Sequence, residues 1–398
     1  MCISFNTDGI NYYYLCPFLG FFCLVGSTYA AGYSQFGKNP FIQNMVVSLG
    51  EMLAIIPYLL SVEIDKLTYK KTAEKDNSSK SNKKTLAIKL EYNDQEKMIT
   101  QISFYNLLVL GFIDFLQSLC FFYSNYFTDY QIYFWSSHIF FLCFFTKHLL
   151  SSKIYRHHLF SLVIFFCLDS IHIIFVLLDE KINCQKIIFI FLLISSVCFS
   201  FELVFEKKLM DVHFFSIYKL CFIIGVTTFF FNLIVSIIMT ILSNHLEKKS
   251  EHIFNFLDYF KEISEHIYNE ITMILIYMLL TGFHNIFQFL TIKHLSPSHT
   301  LITQIMLSFF CSIMNMIFTE MKTITCFISL VFHSICIIVL FIFLEVIELK
   351  ICGIDKDTRH NINKRAEFEK YMQNANVNET INDNSINGSE MVDMSTSF

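Results

Sequence analysis

Ten stretches of this chain are each long and apolar enough to cross a lipid bilayer, and no other property constrains the fold as strongly. They lie at about 11–32, 41–62, 102–124, 130–150, 157–178, 186–206, 214–242, 270–293, 298–318 and 323–348. A helix rises about 1.5 Å per residue and the hydrocarbon core is roughly 30 Å thick, so ~20 apolar residues suffice for one crossing. Backbone polar groups in lipid must be satisfied within the segment, which makes each crossing a helix. The expected class is an all-α membrane protein with ten transmembrane helices. Composition agrees: only 16% of residues are charged, against roughly 25% in soluble domains. The first apolar run has no basic segment before it and is long enough to span, so it reads as a helix rather than a signal peptide.

Lysine and arginine set the orientation. If the spans alternate, one side receives 21 of the 29 basic residues and the other receives seven, with Lys219 inside a span. The richer side holds both termini and is expected to be cytosolic. Ten spans divide into two fives. An odd number in each half forces the halves to face opposite ways, the geometry of two inverted five-helix repeats with a substrate site near the midplane.

The expected organisation is helices 1–2 in residues 1–62, a polar cytosolic linker over 63–101, and helices 3–5 in 102–178. Helices 6–10 follow in 179–348, and a disordered cytosolic tail covers 349–398. Within the second half, Ile253, Phe256, Phe260, Ile263 and Ile267 recur at helical spacing among charged residues. The loop 244–268 is therefore expected to be an amphipathic helix on the non-cytosolic interface.

Polar groups inside spans carry the functional signal. A charge at the bilayer centre costs about 2.5–3.5 kcal/mol on insertion scales, so it faces a partner or a cavity. Glu51 follows Asn44 and Ser48 at helical spacing in span 2. Asp114 with Gln117 and Ser118 sits in span 3. Ser195, Glu202 and Glu206 form a stripe in span 6. Tyr277, Thr281, His284, Asn285 and Gln288 form one in span 8, and Thr300, Gln304, Ser308, Ser312 and Asn315 one in span 9. Lone polar positions include His138, Asp169 with His172, Lys219, Asn232 and His333. Each has a bland alternative. Hydroxyls and amides join helices by hydrogen bonds worth about 0.6 kcal/mol. Glu51 or Asp114 could close a structural ion pair with Lys219 or a histidine. Glu206, beside Lys207 and Lys208, reads as solvated at a membrane edge. In span 1, the small pairs Gly26/Ala30, Ser27/Ala31 and Thr28/Gly32 read as helix packing.

No catalytic or metal motif is present. His157 and His158 are adjacent rather than four apart, HExxH, GxSxG and Walker A sequences are missing, and the 13 cysteines form no CxxC pair. Neither an enzyme activity, a cofactor, a metal nor a nucleic-acid partner is expected.

Short motifs point further. Asn39-Pro40-Phe41-Ile42-Gln43 leads to Leu49-Gly50-Glu51, and Asp114-Phe115-Leu116-Gln117-Ser118 lies in span 3. Tyr130-Gln131-Ile132 opens span 4 and precedes Lys153-Ile154-Tyr155-Arg156-His157-His158. Lys293-His294-Leu295-Ser296-Pro297-Ser298-His299-Thr300 opens span 9. In order and position these resemble the drug/metabolite transporter superfamily, in particular the nucleotide-sugar-transporter-like solute carrier 35 branch of type F, an EamA-like group. Phe134 and Trp135 stand where members of that branch carry Arg-Gly. The resemblance implies a central cavity lined by spans 1–4 and 6–9, peripheral spans 5 and 10, and an endomembrane location such as the Golgi, ER, lysosome or vacuole.

The expected function is secondary transport of a small polar metabolite by alternating access. Glu51 and Asp114 would take a cationic group or a coupled proton. Gln117, His138, Lys219, His284, Asn285, Gln288, His299 and Gln304 complete the expected substrate-binding set. The bilayer and the solute are the expected partners, with a homodimer as a further candidate. The alternative is a membrane scaffold or regulatory protein that keeps the fold without transport.

Overall fold

The structure is a computed structural model that describes residues 3–5, 12–34, 39–61, 63, 104–124, 135–178, 186–212, 215–245, 267–318, 324–349, 358, 361–362 and 364–367. Most of the linker 63–101 and of the loop 244–268 lies outside the described residues, as does most of the tail beyond 349. Where the tail is described, 361–362 and 364–367 are helical.

Ten helices carry most of the described residues: α1 Leu15–Gly32, α2 Pro40–Met52, α3 Phe104–Ser124, α4 Trp135–Leu149, α5 Arg156–Leu178, α6 Lys186–Val212, α7 Ile217–His245, α8 Ile267–His294, α9 Thr300–Phe318 and α10 Ile324–Phe343. Six of them are long and apolar enough to cross a membrane by length and composition: α1, α2 (extended to Ser61), α3, α6, α7 and α8. Large apolar side chains such as Phe22, Phe166, Phe230 and Ile238 face outward, while Asn44, Ser48, Asp114, Glu206 and Asn232 are buried. That inversion of the soluble pattern is the signature of a protein embedded in a membrane.

Two compact units make up the described chain. The larger, 9–153 with 162–339, contains α1–α4, α6–α9 and most of α5 and α10. Within it α1 packs on α8 and α9, α2 on α7 and α8, and α4 on α6. The smaller unit gathers 1–8, 154–161 and 340–398. In it β1 (Ile3–Phe5) pairs antiparallel with β2 (Ile347–Leu349), with Ile3 opposite Leu349. This strand pair departs from the all-α expectation.

Local chemistry fixes α2. The Asn39 side chain accepts from the backbone N–H groups of Phe41 (3.1 Å) and Ile42 (3.2 Å), and Pro40 occupies the first helical position. This is a capped start with a proline that needs no N–H partner. The helix then tightens: Leu53 N–H donates to Gly50 and Ala54 N–H to Glu51, three residues back instead of four. A turn at 53–54 follows, after which the helix resumes to Ser61. Such tightening is found inside helices at hinges and at strained turns, and here it falls directly after Glu51.

Glycine lets α2 sit between two neighbours. A Cβ on Gly50 would lie 2.5 Å from the Met278 carbonyl of α8, and one on Gly282 would lie 2.5 Å from the Gly50 carbonyl. On the α7 side, a Cβ on Gly225 would meet the Ser48 carbonyl at 2.8 Å. Backbone thus touches backbone on both sides of the turn that bears Glu51. Of the small residues of α1, Ala30 and Ala31 pack as expected, with Ile42, Val46 and Tyr277, while Ser27, Thr28 and Gly32 line a cavity.

Candidate functional site

A cavity of about 370 Å³ lies within the larger unit. Its lining comes from α1–α4 and α6–α9, with no residue from α5 or α10 among those described. Eight of the ten expected binding residues line it: Glu51, Asp114, Gln117, His138, His284, Asn285, Gln288 and Gln304.

The two central carboxylates are held by hydrogen-bond donors from other helices. Asn285 Nδ2 of α8 donates to Glu51 Oε1 (2.6 Å), and Thr228 Oγ1 of α7 donates to Asp114 Oδ2 (2.6 Å). Both carboxylates are buried, each 6% exposed. Neither forms an ion pair with Lys219, which places its ammonium 5.9 Å from the Phe215 ring instead. Lys219 does not line the cavity, and neither does His299, whose Nδ1 lies 2.7 Å from Ser296 Oγ.

The histidines are oriented through their Nδ1 atoms. His284 Nδ1 lies 3.0 Å from the Gly20 carbonyl of α1. A carbonyl only accepts, so Nδ1 carries hydrogen and Nε2 is an acceptor in the neutral ring. His138 Nδ1 lies 3.2 Å from Ser196 Oγ, and Ser200 Oγ donates to the His138 carbonyl (2.9 Å), tying α4 to α6.

Two further acids line the same cavity. Glu202 is 6% and Glu206 1% exposed. The expectation of a solvated Glu206 at a membrane edge is therefore wrong. Consecutive helical residues point about 100° apart, so Glu206 faces inward. Lys207 faces the other way, donating to the Lys293 carbonyl (2.8 Å) and pairing with Asp211 (3.2 Å). The 195–202–206 stripe carried the correct signal; the adjacent lysines masked it. Asp114 and Glu202 are within hydrogen-bonding reach of each other, and Glu51 feels the charges of Asp114 and Glu206.

Most other polar positions are structural. Ser308 and Ser312 donate to carbonyls one turn back, and Ser312 meets His333 across α9 and α10 at 3.1 Å. Thr303 donates to the Pro17 carbonyl of α1 (2.8 Å). Asn232 donates to the Thr228 carbonyl (3.1 Å). Of the span 9 stripe, Gln304 alone among the described side chains reaches the cavity. The Asp169–His172 pair cannot be placed, because the His172 side chain lies outside the described residues.

In the smaller unit, one ligand atom each from His157, His158 and Glu345 lie within 4.8 Å of one another, a convergence not anticipated from adjacent histidines. His157 Nε2 is 3.0 Å from Glu345 Oε1. His158 Nδ1, however, accepts from the Tyr155 N–H (3.1 Å). In a neutral ring its Nε2 then carries the proton, which removes it as a ligand.

No protein-family model matches the chain, and no curated protein is significantly similar to it.

Proposed function

We propose that the chain is a secondary transporter that moves a small polar solute across an endomembrane by alternating access. One observation carries this reading. A cavity that gathers four carboxylates in an otherwise apolar helical protein is lined, among the described residues, by eight helices and not by the fifth or tenth. That division supports kinship with the solute carrier 35-like drug/metabolite transporters, and with it ten spans and a non-enzymatic role.

The pattern of helix contacts supports two inverted halves. If helix n is exchanged for helix n + 5, the α2–α7 contact maps onto itself. The α1–α9 contact maps onto α4–α6, and both are present. The α2–α8 contact maps onto α3–α7, where Thr228 Oγ1 lies 3.0 Å from the Gly111 carbonyl and Phe115 stacks on Phe231. The α1–α8 contact maps onto α3–α6, where Tyr123 meets Phe191 edge-on. The β1–β2 pairing adds that the chain before α1 and the chain after α10 meet, which fits an even number of crossings. The basic-residue bias supports a cytosolic side for both ends.

Alternating access needs a movable element, and the tightened turn of α2 beside Glu51 is the candidate hinge. Glu51 and Asp114 are the candidate coupling groups for a proton. The experiment is flux: purified protein in proteoliposomes, tested against nucleotide sugars, amino acids and organic cations with and without a pH gradient. Saturable uptake supports the reading. A folded protein with no flux of any tested solute would favour the scaffold alternative.

A further inference from the structure

Resting on the transport reading, we infer that the cavity's solute is a small organic cation bearing several N–H donors, of the amine, amidine or guanidine type, and not a nucleotide sugar. Four carboxylates, those of Glu51, Asp114, Glu202 and Glu206, share one cavity, and its described lining contains no lysine or arginine. Two oxygens of these carboxylates, Glu51 Oε2 and Glu206 Oε2, are buried with no hydrogen-bond partner. A buried carboxylate oxygen without a donor is costly, and a native site retains such an atom when something else supplies the donor.

The hydrogen-bonding sense of the lining is consistent. Carboxylates offer only acceptors when ionised, and His284, having committed Nδ1 to Gly20, offers an acceptor in its neutral form. A diphosphate would meet four acids and no basic side chain, an arrangement that repels it. A quaternary ammonium would satisfy the charge but leave the orphaned oxygens unbonded. Primary ammonium and guanidinium groups supply both charge and donors. Phe121 and Phe289 also line the cavity and can cover the solute's apolar stem or stack on its cationic head. With the cation absent, protons on the same carboxylates neutralise the site, so solute and proton compete for one set of oxygens.

The test uses the full-length protein in detergent for binding and in proteoliposomes for flux, with agmatine and spermidine, tetraethylammonium and UDP-glucose as probes. Agmatine or spermidine should bind at least tenfold more tightly than tetraethylammonium, and UDP-glucose should not bind. Glu206→Gln and Glu202→Gln should each weaken agmatine binding tenfold or more while the thermal midpoint stays within a few degrees of the parent. Amine binding without flux would sustain the solute class and overturn transport. Flux of UDP-glucose without the amines would overturn the solute class and sustain transport. Equal binding of tetraethylammonium and agmatine, or binding of none of the probes, would overturn the inference.

Discussion

Glu51 and Asn285 are 234 residues apart in sequence and 2.6 Å apart in space, and their hydrogen bond joins α2 to α8 inside the cavity. The bond between Thr228 and Asp114 joins α7 to α3 with the same length. Exchanging helix n with helix n + 5 turns one helix pair into the other. The carboxylate is on the second helix in one case and on the third in the other, so the two contacts share a location and not an orientation. Each of the two acids that line the cavity is thus held by a donor from a helix later in the chain.

Asn285 should matter as a donor and not as bulk. Asn285→Leu leaves Glu51 with neither oxygen satisfied, a loss of about 1–3 kcal/mol for a buried acceptor. Replacing both partners removes the orphaned group, so Glu51→Leu with Asn285→Leu should be less destabilised than Asn285→Leu alone. Thermal unfolding of the single and double variants measures the difference. Additive losses would show that the bond does not couple the two residues.

The α2–α8 crossing should tolerate no added carbon. A Cβ at Gly50 or Gly282 would lie 2.5 Å from backbone carbonyls. Backbone cannot rotate away, so Gly282→Ala should cost about 1–3 kcal/mol through overpacking. At Gly32 a Cβ would meet nothing within 4 Å, and Gly32→Ala should be neutral or stabilising by up to about 1 kcal/mol. Detergent-solubilised unfolding midpoints distinguish the two outcomes.

Legibility followed the range of each signal. Hydrophobic run length located the ten described helices, six of which are long and apolar enough to cross a bilayer. Helical spacing located Glu51, Asp114 and the span 8 stripe, because side chains three or four apart share a face. Local spacing does not report what lies across from a residue. Lys219, conspicuous as a lysine in an apolar run, turned toward Phe215. Ser312 proved to be paired with His333. Glu206 was misread because its lysine neighbours set the expected environment. The α2 turn after Glu51 was missed although Pro57, which has no N–H to return to the Leu53 carbonyl, marks it in the sequence. It coincides with close packing against α7 and α8, which is a tertiary property.

The topology predicts the fate of three glycosylation sequons, Asn77-Ser78-Ser79, Asn378-Glu379-Thr380 and Asn387-Gly388-Ser389. All fall on the side assigned to the cytosol, so each should remain unmodified when the protein is expressed in a glycosylating cell. Endoglycosidase digestion should cause no mobility shift. A shift traced to any one of the three would reverse the orientation.

The last prediction concerns the end of the helices where α8 meets α9. Tyr13 stacks on His294 with ring centroids 3.7 Å apart and planes 3° from parallel, and Tyr14 meets His299 edge-on at 5.5 Å. Beside them Lys207 of α6 donates to the Lys293 carbonyl of α8. These contacts tie the segment before α1 and the end of α6 to the end of α8, beyond Glu206 and Phe289 of the cavity lining. Burial and the charges of Lys293 and Lys207 hold His294 below the ordinary histidine value. A depressed histidine pKa means that the folded state favours the neutral ring. Its contribution is complete above the unfolded value, about 6.5, and declines as pH falls through that value toward the lower folded one. Protonation also sets His294 against Lys293 and Lys207, with Asp211 the nearby opposing charge through its pair with Lys207. Hydrogen exchange of residues 289–299 should therefore accelerate between about pH 7 and pH 5, beyond the intrinsic chemical rate. Tyr13→Ala should accelerate it already at neutral pH, and His294→Phe should retain the stack while abolishing the acid response. An undiminished acid response in His294→Phe would assign it to another group and leave the stack as ordinary packing.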